Sequence, residues 1–121
     1  MTEIKDKKFG NVFFCIEGNE IKDKKYGTVL YYIDTHEIKE KSKYGTVRFY
    51  VDGNEIKEKS KYGAVKYVID GKEVKSKSVH GSVCFYIDGS DIKEKSRYGT
   101  LKYFIDGTLT SDQLHAFISL I

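Results

Sequence analysis

A short repeat runs through almost the whole chain and constrains its fold more than any other feature. The unit is clearest in residues 55–72, where an acidic residue, Ile and Lys precede a polar run, Tyr-Gly, an apolar run and Asp-Gly. Similarity at a fixed short period predicts that one small supersecondary unit is used repeatedly. Six units of 17 or 18 residues begin at Glu3, Glu20, Glu37, Glu55, Glu73 and Asp91.

The apolar half of each unit has the period of a β-strand. In the third unit Val47, Phe49 and Val51 point to one face, whereas Arg48 and Tyr50 point to the other. The remaining units keep a β-branched or aliphatic residue, an aromatic residue and a β-branched residue at the same three alternating positions. Six copies of this alternation predict six strands, because a helix would not keep a period of two.

The Asp-Gly pairs predict hairpin turns within the units. A two-residue Asp52-Gly53 loop of type I′ would place Phe49 opposite Ile56, so that Ile56 joins the apolar face. A slip of one residue would move every such Ile to the other face. The second unit has Thr35 in place of Gly, and Thr is a poor residue for positive φ. We therefore expect a wider or differently built turn there.

A second kind of turn joins one unit to the next at Tyr44-Gly45 and its equivalents. A four-residue loop over 42–45 would place Ile38 opposite Phe49, and a three-residue loop over 25–27 would keep the equivalent pairing. The first two units are one residue shorter at this point, so we expect the difference in length to fall within the turn.

Together these turns predict an all-β repeat domain over residues 3–107, a single curled antiparallel meander of about eleven short strands. Its apolar face must curl on itself, be covered or pair with a second copy. A β-solenoid, in which each unit is a stacked coil, is the alternative fold.

Residues 108–121 depart from the repeat and predict one amphipathic α-helix. Leu114, Phe117, Ile118 and Ile121 fall at helical spacing, and Ser111 is the expected N-cap. We expect this helix to cap the open end of the sheet. The alternative is that it docks on a partner or on a second copy.

The repeat resembles the hairpin units of the membrane-occupation-and-recognition-nexus (MORN) family, bacterial variants in particular. The likeness lies in the pattern Tyr-Gly-x-Val-x-Phe/Tyr-x-Ile-Asp-Gly-x-Glu-Ile-Lys, and residues 80–89 match it best. It spans roughly residues 4–107, although MORN units are longer and carry glycines and often a Trp that are missing here. The resemblance implies a scaffold or binding module, often dimeric, that engages proteins or lipid head groups.

The second face of the sheet is the candidate binding surface. Aromatic residues interleaved with Lys and Arg on a sheet are typical of single-stranded nucleic-acid platforms. They are also ordinary occupants of an exposed strand, where Lys guards against aggregation. The candidate contacts are Tyr32, Arg48, Tyr50, Lys66, Tyr86, Lys102 and Phe104.

No motif for catalysis, metal binding or a cofactor is recognisable. Cys15 and Cys84 lie about eight strands apart, on the order of 40 Å, too far for a disulfide. The histidines, His36, His80 and His115, lack a metal-ligand spacing. We therefore expect neither an enzyme nor a cofactor.

The chain is only mildly basic. A net charge of +3 with 32% charged residues is less basic than nucleic-acid binders usually are. No signal peptide or transmembrane run is visible, so a cytoplasmic location is expected. The first hypothesis is a non-enzymatic protein-binding or scaffolding module, for example a small inhibitor or antitoxin-like protein. The alternatives are a single-stranded nucleic-acid binder on the same face and a self-assembling structural repeat, with a homodimer as one form.

Overall fold

The computed structural model describes residues 1–121 and contains twelve antiparallel strands followed by one helix. Each repeat unit contributes its polar half and its apolar half as strands of a meander. The strands are β1 (Thr2–Lys5), β2 (Val12–Glu17), β3 (Glu20–Lys22), β4 (Val29–Asp34), β5 (Glu37–Glu40), β6 (Val47–Asp52), β7 (Glu55–Glu58), β8 (Val65–Asp70), β9 (Glu73–Ser76), β10 (Val83–Asp88), β11 (Asp91–Glu94) and β12 (Leu101–Asp106), and the helix is α1 (Ser111–Ser119).

The sheet closes into a barrel through its first and last strands. β1 pairs with β2 on one side and with β12 on the other, so Ile4 lies opposite both Phe14 and Ile105. The all-β meander is therefore confirmed, whereas the solenoid alternative is wrong. Closure of the curled sheet leaves no edge strand for another chain to extend.

Helix α1 lies inside the barrel and does not merely cap one end of it. Twelve strands spaced about 4.8 Å apart and tilted by about 40° enclose a barrel about 24 Å across. A helix with its side chains is about 10–12 Å across, which leaves space for one layer of strand side chains around it. Phe117 is fully buried there, with its ring edge-on to Phe14 at 6.3 Å and to Tyr103 at 5.5 Å.

The helix begins one residue earlier than expected. Thr110, and not Ser111, is the N-cap: its hydroxyl accepts a hydrogen bond from the backbone N–H of Gln113, whose side chain in turn accepts one from the N–H of Thr110. This reciprocal pair satisfies two of the backbone donors that a helix N-terminus leaves free. None of the helical structure has the length and apolar character needed to cross a membrane.

In the hairpins, each residue of the polar strand lies opposite a residue two positions further along the apolar strand than expected. Ile56 lies opposite Val51, and Asp52 opposite Glu55, so the loop is Gly53-Asn54. Of these two residues only Gly53 has positive φ, at 61°, which fits a type II′ turn and not the expected type I′. The shift is an even number of residues, so Ile56 still faces the interior.

The turn at Thr35 has the same two-residue form as the others. Asp34 lies opposite Glu37, and Thr35 occupies the Gly position with φ of 55°. The expectation of a wider turn is wrong, because the pairing on both sides of the turn imposes the backbone conformation on Thr35. A β-branched residue in this conformation is strained.

The turns between units absorb the difference in length, as expected. Ile38 lies opposite Phe49 and Ile21 opposite Tyr31, but a β-bulge follows in each unit. The bulge leaves one residue of the apolar strand without its own partner. These residues are Phe13, Leu30, Arg48, Lys66, Cys84 and Lys102.

Candidate functional site

The two ends of the barrel differ in structure. At the hairpin end lie the two-residue turns, such as Gly53-Asn54, and the N-terminus of α1. At the loop end lie six longer connections, over residues 6–11, 23–28, 41–46, 59–64, 77–82 and 95–100, and the C-terminus of α1. We call these six connections the loop crown.

Each loop of the loop crown carries one ring-bearing side chain into solvent at the same position of the repeat. Five of these side chains are aromatic and are between 86% and 91% exposed, and the sixth, a histidine, is exposed as well. Side chains of this size are rarely left so open at equivalent positions. They are Phe9, Tyr26, Tyr44, Tyr62, His80 and Tyr98.

Hydrogen bonds of the loop backbone hold these rings outward. In the third unit the N–H of Gly45 donates to the carbonyl of Ser42 at 2.9 Å, and the hydroxyl of Ser42 accepts from the N–H of Tyr44 at 3.2 Å. A Cβ atom at Gly45 would overlap the carbonyl oxygen of Glu40, so only Gly fits there. The turn is thus built from Ser42 and Gly45, and the ring of Tyr44 plays no part in it.

The loop crown is also the basic part of the molecule. Its loops contain eleven Lys or Arg residues and two acidic residues, whereas the whole chain has a net charge of +3. None of the eleven is in an ion pair, since all ion pairs of the protein involve other cations. Three of the cations lie over the neighbouring ring, at 5.6 Å for Lys8, 5.4 Å for Lys25 and 5.3 Å for Arg97.

The lysines of the polar strands in the barrel wall, by contrast, are already paired with carboxylates of the same molecule. The Nζ of Lys39 donates to Asp34 at 2.7 Å and to the carbonyl of Lys43 at 2.9 Å, and it lies 3.5 Å from Glu37. The hydrogen bond to Asp34 raises the pKa of Lys39 and lowers the pKa of Asp34. Equivalent ion pairs are made by Lys5, Lys22, Lys57, Lys75 and Lys93.

The candidate contacts predicted on the second face separate into two groups. Tyr32, Tyr50, Tyr86 and Phe104 lie half-buried on the outer wall, opposite residues of the polar strands such as Lys39, Lys57 and Lys93. The predicted cations do not accompany them, because all three occupy bulge positions near the loop end. Arg48 pairs there with Glu40 at 2.7 Å, and Lys102 pairs with Glu94 at 3.3 Å.

Lys66 turns into the barrel and contacts the end of the helix. Its Nζ donates to the carbonyl of Ser119 at 2.8 Å and lies 4.9 Å from the ring centre of Phe49. Burial lowers the pKa of Lys66. The neighbouring Tyr67 hydroxyl donates to the carbonyl of Ile121 at 3.0 Å, and burial raises its pKa. A cation at a helix C-terminus complements the helix dipole, so these two residues position α1.

The predicted interface residues of the helix pack against the barrel lining. Phe117 and Ile118 are fully buried, and Leu114 and Ile121 are partly buried against the same apolar cluster. Both cysteines are free. No group of three or more His, Cys, Asp or Glu side chains is arranged to hold a metal ion.

The residues of the loop crown were missed by the sequence analysis, although the chain contains a signal for them. A basic residue, an aromatic residue and Gly follow one another in five of the six loops, as in Lys61-Tyr62-Gly63. The triplet was interpreted only as a turn. Backbone atoms leave no room for a Cβ at Gly45, Gly63 and Gly99. The turn explains the Gly there but not the two preceding residue types, whose recurrence is additional information.

No protein-family model matches the chain, and neither the curated proteins nor the solved structures contain a match to it. The similarity to MORN repeats therefore stays a prediction from the sequence.

Proposed function

We propose that the protein is a non-enzymatic binding module that takes up single-stranded nucleic acid on the loop crown. The observation that carries this proposal is the set of five aromatic rings, each at least 86% exposed, on five loops that hold ten unpaired cations. Bases stack on exposed aromatic rings, and Lys and Arg contact the phosphates between them. Every base has a face to stack, so binding of this kind depends little on sequence.

The charge distribution favours this location over the outer wall. A wall lysine such as Lys57 already contacts Asp52 at 3.1 Å and Glu55 at 3.7 Å, so a phosphate would have to displace these carboxylates. The cations of the loop crown have no such partners. Neutralisation of phosphates by unpaired cations supplies most of the non-specific affinity for nucleic acids.

A protein partner is the second candidate, as the sequence first suggested. The half-buried tyrosines of the outer wall, Tyr32, Tyr50 and Tyr86, favour it, because Tyr is enriched in protein interfaces. A scaffolding, inhibitor-like or antitoxin-like role would use this wall. The loop crown fits a protein less well, since Lys is depleted from the cores of such interfaces.

The self-assembling repeat is a weaker candidate. It needs either a free sheet edge or an uncovered apolar face, and the closed barrel filled by α1 offers neither.

Fluorescence anisotropy with a labelled oligothymidine of about 20 nucleotides tests the proposal. We expect binding that weakens with salt, with a slope of log K against log salt steeper than about −2, which indicates release of several counterions. Tyr44→Ala should weaken binding at least about fivefold, because stacking contributes about 1–3 kcal/mol per base.

Tyr50→Ala is the matched control, since Tyr50 lies on the outer wall and outside the loop crown. The proposal fails if the protein does not bind the oligonucleotide. It also fails if Tyr50→Ala reduces the affinity and Tyr44→Ala does not, a result that would direct the search to a protein partner of the outer wall.

A further inference from the structure

Closure of the barrel arranges the six loops in a circle. Because β1 pairs with β12, the loop over 95–100 is the neighbour of the loop over 6–11. Each ring of the loop crown therefore has a neighbour on both sides, although Tyr98 and Phe9 are 89 residues apart in sequence. Consecutive loops are two strands apart, which with a tilt of about 40° places them about 12.5 Å from one another around the rim of the barrel.

One loop of the circle lacks the features of the other five. In the loop over 77–82, Val79 replaces the cation that precedes the ring, and His80 replaces the aromatic residue. The strand before it also ends in Ser76, where the neighbouring units have Glu58 and Glu94. The circle is thus an arc of five basic-aromatic pairs with a single gap.

The centre of the loop end is unfavourable for a polyanion. Helix α1 ends there, so the negative end of its dipole lies inside the loop crown. The one cation that reaches this centre, Lys66, is occupied by the carbonyl of Ser119. A negative centre surrounded by a positive rim favours a path around the rim over a path across the mouth.

We propose that a single strand of nucleic acid follows this arc around the barrel, from Tyr98 through Phe9, Tyr26 and Tyr44 to Tyr62, and has its ends at the gap near His80. This inference rests on the proposed function and adds the path and the length of the ligand. The five rings define four intervals of about 12.5 Å each. At about 3.4 Å per stacked nucleotide, an arc of about 50 Å holds about 15 nucleotides.

A series of oligothymidines between about 4 and 24 nucleotides long tests the length. We expect the affinity of the full chain to rise steeply up to about 15 nucleotides and then to change by less than about twofold. Saturation at about 4 nucleotides would overturn the inference, because one or two loops would then suffice for binding.

A pair of matched variants tests the path. Phe9→Ala lies within the arc and should reduce the affinity for a ligand of about 15 nucleotides at least about fivefold. His80→Ala removes the ring at the gap and should change the affinity by less than about twofold. Equal losses of affinity from Phe9→Ala and His80→Ala would show that the ligand also contacts the loop at the gap. This result would overturn the inference.

A gain-of-function variant completes the test. The double substitution Val79→Lys with His80→Tyr closes the gap in the arc and should move the saturation length beyond about 15 nucleotides, towards about 22 for six intervals. An unchanged saturation length would overturn the inference while leaving the proposed function intact. If oligothymidines of every length fail to bind, both the inference and the proposed function are wrong.

Discussion

The substitution Phe117→Ala measures how far the barrel depends on the helix within it. Phe117 is fully buried, and its ring meets the rings of Phe14 and Tyr103 edge-on. Replacement of a buried Phe by Ala lowers the free energy of unfolding by about 3–5 kcal/mol. Each edge-on aromatic contact contributes about 0.5–1.5 kcal/mol beyond the area buried, which places the expected loss in the upper part of that range.

The cavity left by Phe117→Ala should not collapse, because α1 is fixed at both ends. At the N-terminus the amide of Gln113 donates to the carbonyl of Gly18 at 2.9 Å. At the C-terminus Lys66 and Tyr67 bind the carbonyls of Ser119 and Ile121. We therefore expect a loss of about 4–5 kcal/mol, because residual cavity volume adds to the loss of burial. For a domain of this size that corresponds to a fall in Tm of about 10–20 °C.

Phe9→Ala is the matched control, since the same atoms are removed from a ring that is 91% exposed. It should change the free energy of unfolding by less than about 0.5 kcal/mol. Urea titration followed by circular dichroism measures both variants. A loss below about 1.5 kcal/mol for Phe117→Ala, or equal losses for the two variants, would refute the placement of Phe117 between the helix and the barrel lining.

Two further predictions concern strain and pH. Thr35→Gly should raise the free energy of unfolding by about 1 kcal/mol, because it removes a β-branched residue that is strained at φ of 55°. Gly53→Thr should lower the free energy of unfolding by at least as much in the same urea titration. Changes of the opposite sign would contradict the assignment of strain to Thr35. Burial lowers the pKa of His115, so the unfolded chain binds a proton more readily than the folded chain does. The stability that neutral His115 contributes is therefore present above about pH 6.5 and should be lost as the pH falls through the folded-state pKa. Thermal melts of His115→Gln should show a weaker dependence on pH over that range, and an unchanged dependence would contradict this assignment.

The strands and their facing could be predicted because they depend on local pattern. The alternation of Val47 to Val51 fixes which side chains share a face, and an error of two residues in the hairpin pairing leaves that facing unchanged. The bulges could not be predicted, because the residues at their positions share no chemical type: Leu30, Arg48 and Cys84 are examples. Without the bulges, Arg48 and Lys66 were expected on the outer wall.

Closure and the loop crown could not be predicted, for a different reason. Near-identical units pair with their neighbours in the same way however many there are, so no local signal states that the sixth unit meets the first. The pairing of Ile4 with Ile105 depends on the accumulated twist and tilt of all twelve strands. The rings at Phe9 and Tyr98 become neighbours only after this closure, and the binding surface is therefore a product of the tertiary fold.

Removal of α1 tests whether the helix is an integral part of the barrel core. A chain that ends at Gly107 loses Ala116, Phe117 and Ile118, and exposes the apolar lining that they cover. A closed barrel about 24 Å across cannot fill its centre with its own strand side chains, because these reach only part of the radius. We expect the shortened chain to associate, with a mass by light scattering greater than that of the full chain. A peptide of residues 108–121 added in excess should restore the mass of the full chain, whereas the same peptide with Phe117→Ala should restore it less well. If the shortened chain instead keeps the mass, the circular dichroism spectrum and the urea midpoint of the full chain, the helix is dispensable and the barrel must be filled in another way.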